Sequence, residues 1–183
     1  MKKLLFVLAA SLLLAGCAPA PAAELPPVEG ETYTAKLTAD LSTLGADPST
    51  AATQVEVQVP GVSLKYKFEI GANAYIKTTT AGFKEMNLKV GAYIKSVSTY
   101  TVERITIDFF SKPGTLFNVF AKADGSGDAL TYHETSITPT EPDDFGKVYE
   151  YQPSSTGWCI SRRTDILEKQ TPSIYYVSVT FRI

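Results

Sequence analysis

The sequence predicts an all-β domain in which two antiparallel sheets face each other. Three observations predict it: apolar and polar residues alternate with a period of two along several segments, turn-forming residues separate these segments, and no segment shows a convincing helical period. A count of about ten to twelve strands exceeds that of an immunoglobulin domain and favours a jelly-roll-like β-sandwich. An immunoglobulin-like sandwich preceded by extra strands is the alternative.

The alternation is clearest in six segments, each with one apolar and one polar face, as in a half-buried antiparallel strand. These segments are residues 33–42, 55–59, 64–70, 105–109, 117–121 and 175–183. Turn formers between them include Pro60-Gly61, Gly71-Ala72-Asn73 and the loop from Asp124 to Asp128. The best helical candidate, Thr164 to Gln170, is short and fits a loop equally well.

Residues 1–16 have the order of an export signal. Lys2 and Lys3 precede an apolar run from Leu4 to Leu14, which is too short to span a bilayer, and small residues follow. The closing Leu14-Ala15-Gly16-Cys17 resembles the lipobox of bacterial lipoproteins. That resemblance implies cleavage before Cys17, diacylglycerol on its thiol and a fatty acyl chain such as palmitate on its amine. An ordinary secretory signal and a buried apolar strand are the alternatives.

The expected organisation is a signal peptide at 1–16, the lipidated Cys17 with a flexible tether at 17–32, and a β-sandwich domain at 33–183. Proline, alanine and acidic residues dominate the tether and cannot bury enough apolar area to fold. We expect a membrane contact through the lipid and a location in the cell envelope. The host decides between the outer membrane and the outer face of the cell membrane.

Composition limits the partners and cofactors. The chain has 17 basic and 19 acidic residues and no concentrated basic patch, which argues against nucleic acid as a partner. Of the two cysteines, Cys17 is assigned to the lipid, so Cys159 has no intrachain partner and is expected to be a small core residue. No cofactor is expected apart from the covalent lipid.

In the second half of the chain, apolar and polar residues alternate in four stretches. These stretches are Val102–Phe110, Thr115–Lys122, Gly157–Arg162 and Ile174–Ile183, and residues 73–77 fit the same module less securely. Together they resemble a jelly-roll module of exported bacterial proteins, which occurs as free-standing lipoproteins and as an addition to secreted hydrolases. The resemblance implies a carbohydrate-binding or accessory surface role, and it assigns no ligand to a numbered residue.

Three residues are candidates for ligand binding: Trp158, Arg162 and Tyr175. Trp158 is the sole tryptophan and follows a loop, while arginines come soon after it and tyrosines lie on neighbouring stretches. The C–H face of a sugar stacks on an aromatic ring while polar neighbours bind its hydroxyls, so this combination suggests a glycan platform. A core position for Trp158 is the alternative.

Metal binding and catalysis have weaker signals. Asp124 and Asp128 are weak calcium candidates, because Thr135 stands where an EF-hand loop needs a glutamate, and a hairpin turn explains them equally well. His133 is the sole histidine, and no nucleophile motif accompanies it. We expect it to be a solvent-facing strand residue and the chain not to be an enzyme.

The expected function is therefore a lipid-anchored, non-catalytic binding module of the cell envelope, with carbohydrate as the first candidate ligand. The alternative is a structural lipoprotein that docks another envelope protein through an exposed strand edge or an apolar patch. A glycan-processing enzyme is less favoured, because it would need two carboxylates facing one cleft.

Overall fold

A computed structural model describes residues 24–41, 48–80, 82–109, 114, 116–136, 147–167 and 171–183. These residues form twelve strands, which confirms the predicted all-β class, and none of them belongs to a helix that could span a membrane. The strands are β1 (Thr32–Thr38), β2 (Thr53–Gln58), β3 (Lys65–Ile70), β4 (Ala74–Thr78), β5 (Lys84–Leu88), β6 (Tyr93–Ser96), β7 (Thr101–Phe109), β8 (Phe117–Phe120), β9 (His133–Ser136), β10 (Lys147–Tyr151), β11 (Cys159–Arg162) and β12 (Ser173–Arg182).

The strands form the predicted sandwich of two antiparallel sheets. The seven-stranded sheet has the order β4-β5-β12-β7-β10-β9, and β1 also pairs with β12. The five-stranded sheet has the order β2-β3-β6-β11-β8. The chain changes sheet at most of the connections between described strands, so successive strands are distributed between the two sheets.

The apolar faces of the alternating segments supply the core. Val177 and Val179 on β12 are fully buried, and their cross-strand neighbours on β7 are Ile107 and Ile105. Leu37 of β1 lies on the other side of Val177 and is also fully buried. The period of two in the sequence is thus the period of burial along these strands.

The folded domain begins earlier than the predicted boundary at residue 33. The Leu25 N–H donates to the Gly61 carbonyl at 3.2 Å, and the Ser63 N–H donates to the Leu25 carbonyl at 2.8 Å. Further along, the Gly30 N–H donates to the Ile183 carbonyl at 2.9 Å. Residues 25–31, predicted as the end of a flexible tether, are therefore held against the domain. Cys17 and the predicted signal peptide lie outside the described residues.

Candidate functional site

Trp158 belongs to the core, which corrects its prediction as a ligand platform. Its side chain is 0% exposed, and its indole N–H donates to the Tyr66 hydroxyl at 3.0 Å. The Tyr66 hydroxyl also bonds to the Ser96 hydroxyl at 2.8 Å. The indole packs edge-on against Phe68 with 6.0 Å between ring centroids. A buried ring whose polar group is satisfied has no face to offer a sugar.

Arg162 also has a structural position and not a ligand-binding one. Its side chain is buried, and its guanidinium donates to the carbonyls of Arg163 at 3.0 Å and of Leu167 at 2.9 Å. These bonds hold the segment that follows β11 against the domain. That segment, part of the best helical candidate in the sequence, is a loop over residues 164–167.

Tyr175 lies in a buried polar network between β5 and β12. Its hydroxyl donates to the Glu85 carboxylate at 3.0 Å, and Asn87 donates to the same carboxylate at 3.1 Å. The Lys77 ammonium lies 3.4 Å from it. Burial, and then the hydrogen bond to Glu85, raises the pKa of Tyr175. This network ties two strands together, so Tyr175 is a structural residue and its prediction as a ligand-binding residue is corrected.

The loop from Asp124 to Asp128 is a turn closed by its own side chain. The Asp124 carboxylate accepts the Ser126 N–H at 2.9 Å, an Asx turn that also lowers the pKa of Asp124. Within the described ranges, no group of three or more histidine, cysteine, aspartate or glutamate side chains could hold a metal ion. The hairpin-turn interpretation therefore accounts for Asp124, while Asp128 lies exposed in the same loop.

Cys159 is buried, as predicted. Burial raises the pKa of its thiol to about 11. Since the thiolate is the reactive form, a thiol with so high a pKa is inert at neutral pH. Cys159 is therefore a packing residue.

One edge of the sandwich combines exposed aromatic and polar side chains. There β8 ends the five-stranded sheet and β9 ends the seven-stranded sheet. After β8 the chain makes a loop and returns to it, because Ala129 bridges Phe120 and the Leu130 N–H donates to the Val119 carbonyl at 2.7 Å. The chain is thus still attached to the five-stranded sheet at Leu130.

The chain then crosses to the other sheet within two residues. His133 is the first residue of β9, and its cross-strand partner on β10 is Glu150. Thr131 and Tyr132 therefore bridge the open edge between the sheets, and both are exposed. We call Leu130–His133 the crossover segment.

Tyr132 presents an aromatic ring to solvent that two buried tyrosines support. Its side chain is 39% exposed. Its ring meets that of Tyr149 edge-on, with centroids 5.4 Å apart at 87°, and lies 6.0 Å from that of Tyr151. Burial raises the pKa of both supporting tyrosines, as expected for rings that lie inside the sandwich. The ring at the surface is thus held by its neighbours.

Two clefts adjoin the crossover segment, and Tyr132 lines both. The first has a volume of about 430 Å³ and carries mainly polar side chains, among them Thr131, His133, Glu150 and Gln152. The second, of about 370 Å³, is more apolar. Its lining includes Phe117, Asn118, Val119, Leu130 and Tyr151. Both volumes fall in the range of small-ligand sites, which combine apolar walls with a few polar groups.

Glu150 is the charged acceptor of the first cleft. Its side chain is 28% exposed, and the Arg104 guanidinium of β7 lies 3.8 Å from its carboxylate, beyond hydrogen-bond distance. His133 is exposed on β9 as expected. Among the described lining residues Glu150 is the one carboxylate, whereas glycoside hydrolysis commonly uses two. The arrangement offers a ring face with hydrogen-bonding groups beside it.

No family model, curated protein or solved structure matches this chain. The interpretation of the site therefore depends on its own chemistry. Sequence reasoning considered His133 but missed Tyr132, the residue before it. The available signal was a tyrosine between two polar residues just ahead of a short strand, but aromatic residues in such places are as often buried as exposed.

Proposed function

We propose that this protein is a lipid-anchored binding module of the cell envelope that holds a glycan at the crossover segment. The observation that carries the proposal is the exposed ring of Tyr132, supported by Tyr149 and Tyr151 and flanked by two clefts. A ring whose orientation is already fixed loses little conformational entropy when a ligand stacks on it.

The groups around the ring suit the chemistry of a sugar. A pyranose has an apolar C–H face, which stacks on an aromatic ring, and a rim of hydroxyls, each of which donates and accepts. The first cleft places the Glu150 carboxylate, the Gln152 amide and the Thr131 hydroxyl beside Tyr132. The second cleft offers apolar walls to the remaining C–H surface. This mixture matches a neutral, amphipathic ligand.

The membrane anchor is the second part of the proposal. It is supported by Leu14-Ala15-Gly16-Cys17 after a charged start and an apolar run. The structure describes the domain as held from Leu25 onward. Even fully extended, the chain between Cys17 and Leu25 reaches at most about 28 Å. A lipid on Cys17 would therefore keep the binding module close to the membrane surface.

The decisive test compares glycan binding of the wild type and of Tyr132→Ala, on a broad glycan array and then by calorimetry on the strongest ligand. Loss of the stacking face should weaken binding about tenfold or more. Because the ring also packs on Tyr149 and Tyr151, the unfolding temperature should fall by a few degrees, and binding is measured well below it. Tyr75→Ala is the matched control. Tyr75 is on β4, which lies at the edge of the seven-stranded sheet opposite to β9 and the crossover segment.

Two outcomes would contradict the proposal. A wild-type protein that binds no glycan on the array would remove carbohydrate as the ligand and leave docking of an envelope protein as the remaining hypothesis. A Tyr132→Ala protein that binds as tightly as the wild type would exclude the crossover segment as the site.

A further inference from the structure

We propose that the clefts at the crossover segment select uncharged oligosaccharides over those that carry carboxylates, and that Glu150 sets this selectivity. The inference depends on the proposed function, because it names the class of glycan that the same site would hold. It follows from the placement of charge around the first cleft.

Glu150 lies one strand in from the edge of the seven-stranded sheet. It is on β10, which the sheet order places between β9 and β7. Its carboxylate lines the first cleft together with Tyr132 and His133. Arg104, its cationic neighbour at 3.8 Å, is on β7 and is not among the residues that line the cleft. The negative member of this pair therefore lines the cleft, while the half-exposed positive member lies beside it and outside the lining.

Arg104 partly compensates the charge of Glu150, and the other described groups of the site do not. Thr131, Gln152 and Asn118 bring neutral polar groups, His133 brings an imidazole, and no lysine or arginine appears among the described lining of either cleft. The nearby Lys147 ammonium is paired with the Glu134 carboxylate at 2.8 Å. A sugar carboxylate in the first cleft would thus meet a like charge, and the two nearby cations, Arg104 and Lys147, are each already paired with a carboxylate.

The two ligand classes meet Glu150 differently. Hydroxyls of an uncharged sugar donate to the carboxylate in charge-assisted hydrogen bonds. A uronate at contact distance is repelled instead, by an amount that corresponds to about fivefold in affinity per facing carboxylate in water. Because this repulsion is electrostatic, salt weakens it.

The experiment measures affinities for uncharged tetrasaccharides (cello-, manno-, xylo- and chitotetraose) and for oligogalacturonate and oligoguluronate of the same length, near neutral pH and at low and high ionic strength. Because Arg104 offsets part of the repulsion, we expect the wild type to prefer the uncharged ligands by about two- to fivefold at low salt, with a smaller difference at high salt. Salt dependence tests the proposal without any substitution.

Glu150→Gln tests the residue itself. It keeps the shape of the side chain, removes its charge and leaves Arg104 without its partner, so binding of uronates should rise at least fivefold relative to uncharged ligands. Glu150→Asp keeps the charge and should keep the preference. Glu103→Gln is the matched control, since Glu103 is also paired with an arginine, Arg182, and does not line either cleft. This control should leave the preference unchanged.

The failures of the two proposals are distinguishable. A wild type that binds neither class contradicts the proposed function. A wild type that binds uronates as tightly as uncharged ligands overturns the selectivity and leaves the proposed function standing. An unchanged preference in Glu150→Gln overturns the role of Glu150 alone.

Discussion

Glu85 shows how single side chains stabilise this domain at the residue scale. Its carboxylate is buried and accepts hydrogen bonds from Tyr175 and Asn87, with Lys77 nearby. Burial acts to raise the pKa of Glu85, but the hydrogen bonds and the lysine charge together outweigh it, so the pKa lies below its ordinary value. The charged form therefore favours the folded state.

The first prediction concerns acid stability. Because the pKa of Glu85 is lower in the folded than in the unfolded chain, its contribution is complete above the unfolded pKa and is lost as pH falls through the folded pKa. Glu85→Gln should lower the free energy of unfolding by about 1–3 kcal/mol at neutral pH. Denaturant titrations from pH 7 to pH 3 should show this difference shrinking. A difference that stays constant across the range would contradict the assigned role.

Residue positions also show where sequence reasoning reaches its limit. Alternation correctly placed Leu37, Val177 and Val179 inside, because burial within a strand is a local property. It could not place Trp158, whose buried indole N–H finds its partner in Tyr66, 92 residues away. Alternation also missed the role of Tyr132, because the two tyrosines that support its ring lie on β10 and not on its own segment.

At the element scale, the end of β3 is fixed by the close approach of a ring to a glycine. A Cβ added at Gly71 would lie 2.5 Å from the ring of Tyr93, far inside van der Waals contact. The ring cannot move freely, because the Tyr93 hydroxyl donates to the Glu69 carboxylate at 2.6 Å. In addition, the Gly71 N–H donates to the Tyr93 carbonyl at 2.8 Å. Backbone and side chain together leave no room for a methyl group.

The second prediction follows from this contact. Gly71→Ala should lower the free energy of unfolding by about 1–3 kcal/mol through overpacking, measured by denaturant titration. Combined with Tyr93→Ala, which removes the ring, the same substitution should cost little, so a double-mutant cycle should give a large coupling energy. An equal penalty in both backgrounds would show that the ring is not the cause.

Strand prediction succeeded and failed for identifiable reasons. Segments with one solvated face, such as β3 and β12, alternate visibly and were predicted. β5 was not, because Met86, Asn87 and Leu88 are buried in succession, and a strand covered on both faces has no polar period. β9 is only four residues long and almost wholly exposed, so it carries too little apolar sequence to be recognised.

At the scale of the whole molecule, the proposed lipid anchor would decide where the proposed binding module acts. The third prediction is that the wild-type chain, produced in a bacterium, partitions into detergent and carries a lipid mass on Cys17. Cys17→Ser should abolish both, because the thiol that receives the lipid is gone. Cys159→Ala is the matched control, since the other cysteine is buried in the fold and should not affect lipidation. An unmodified Cys17 in the wild type would contradict the anchor.

The pairing of the first strand with the last has a consequence for when the domain can fold. β1 and β12 are cross-strand partners, and the hydroxyls of Thr34 and Thr180 lie 3.2 Å apart although 146 positions separate them. Closing so long a loop costs entropy before any contact compensates it, so such pairings form slowly. β12 also lies at the centre of the larger sheet. A partly synthesised chain therefore lacks the strand around which that sheet assembles, and the larger sheet cannot be completed until β12 has been made.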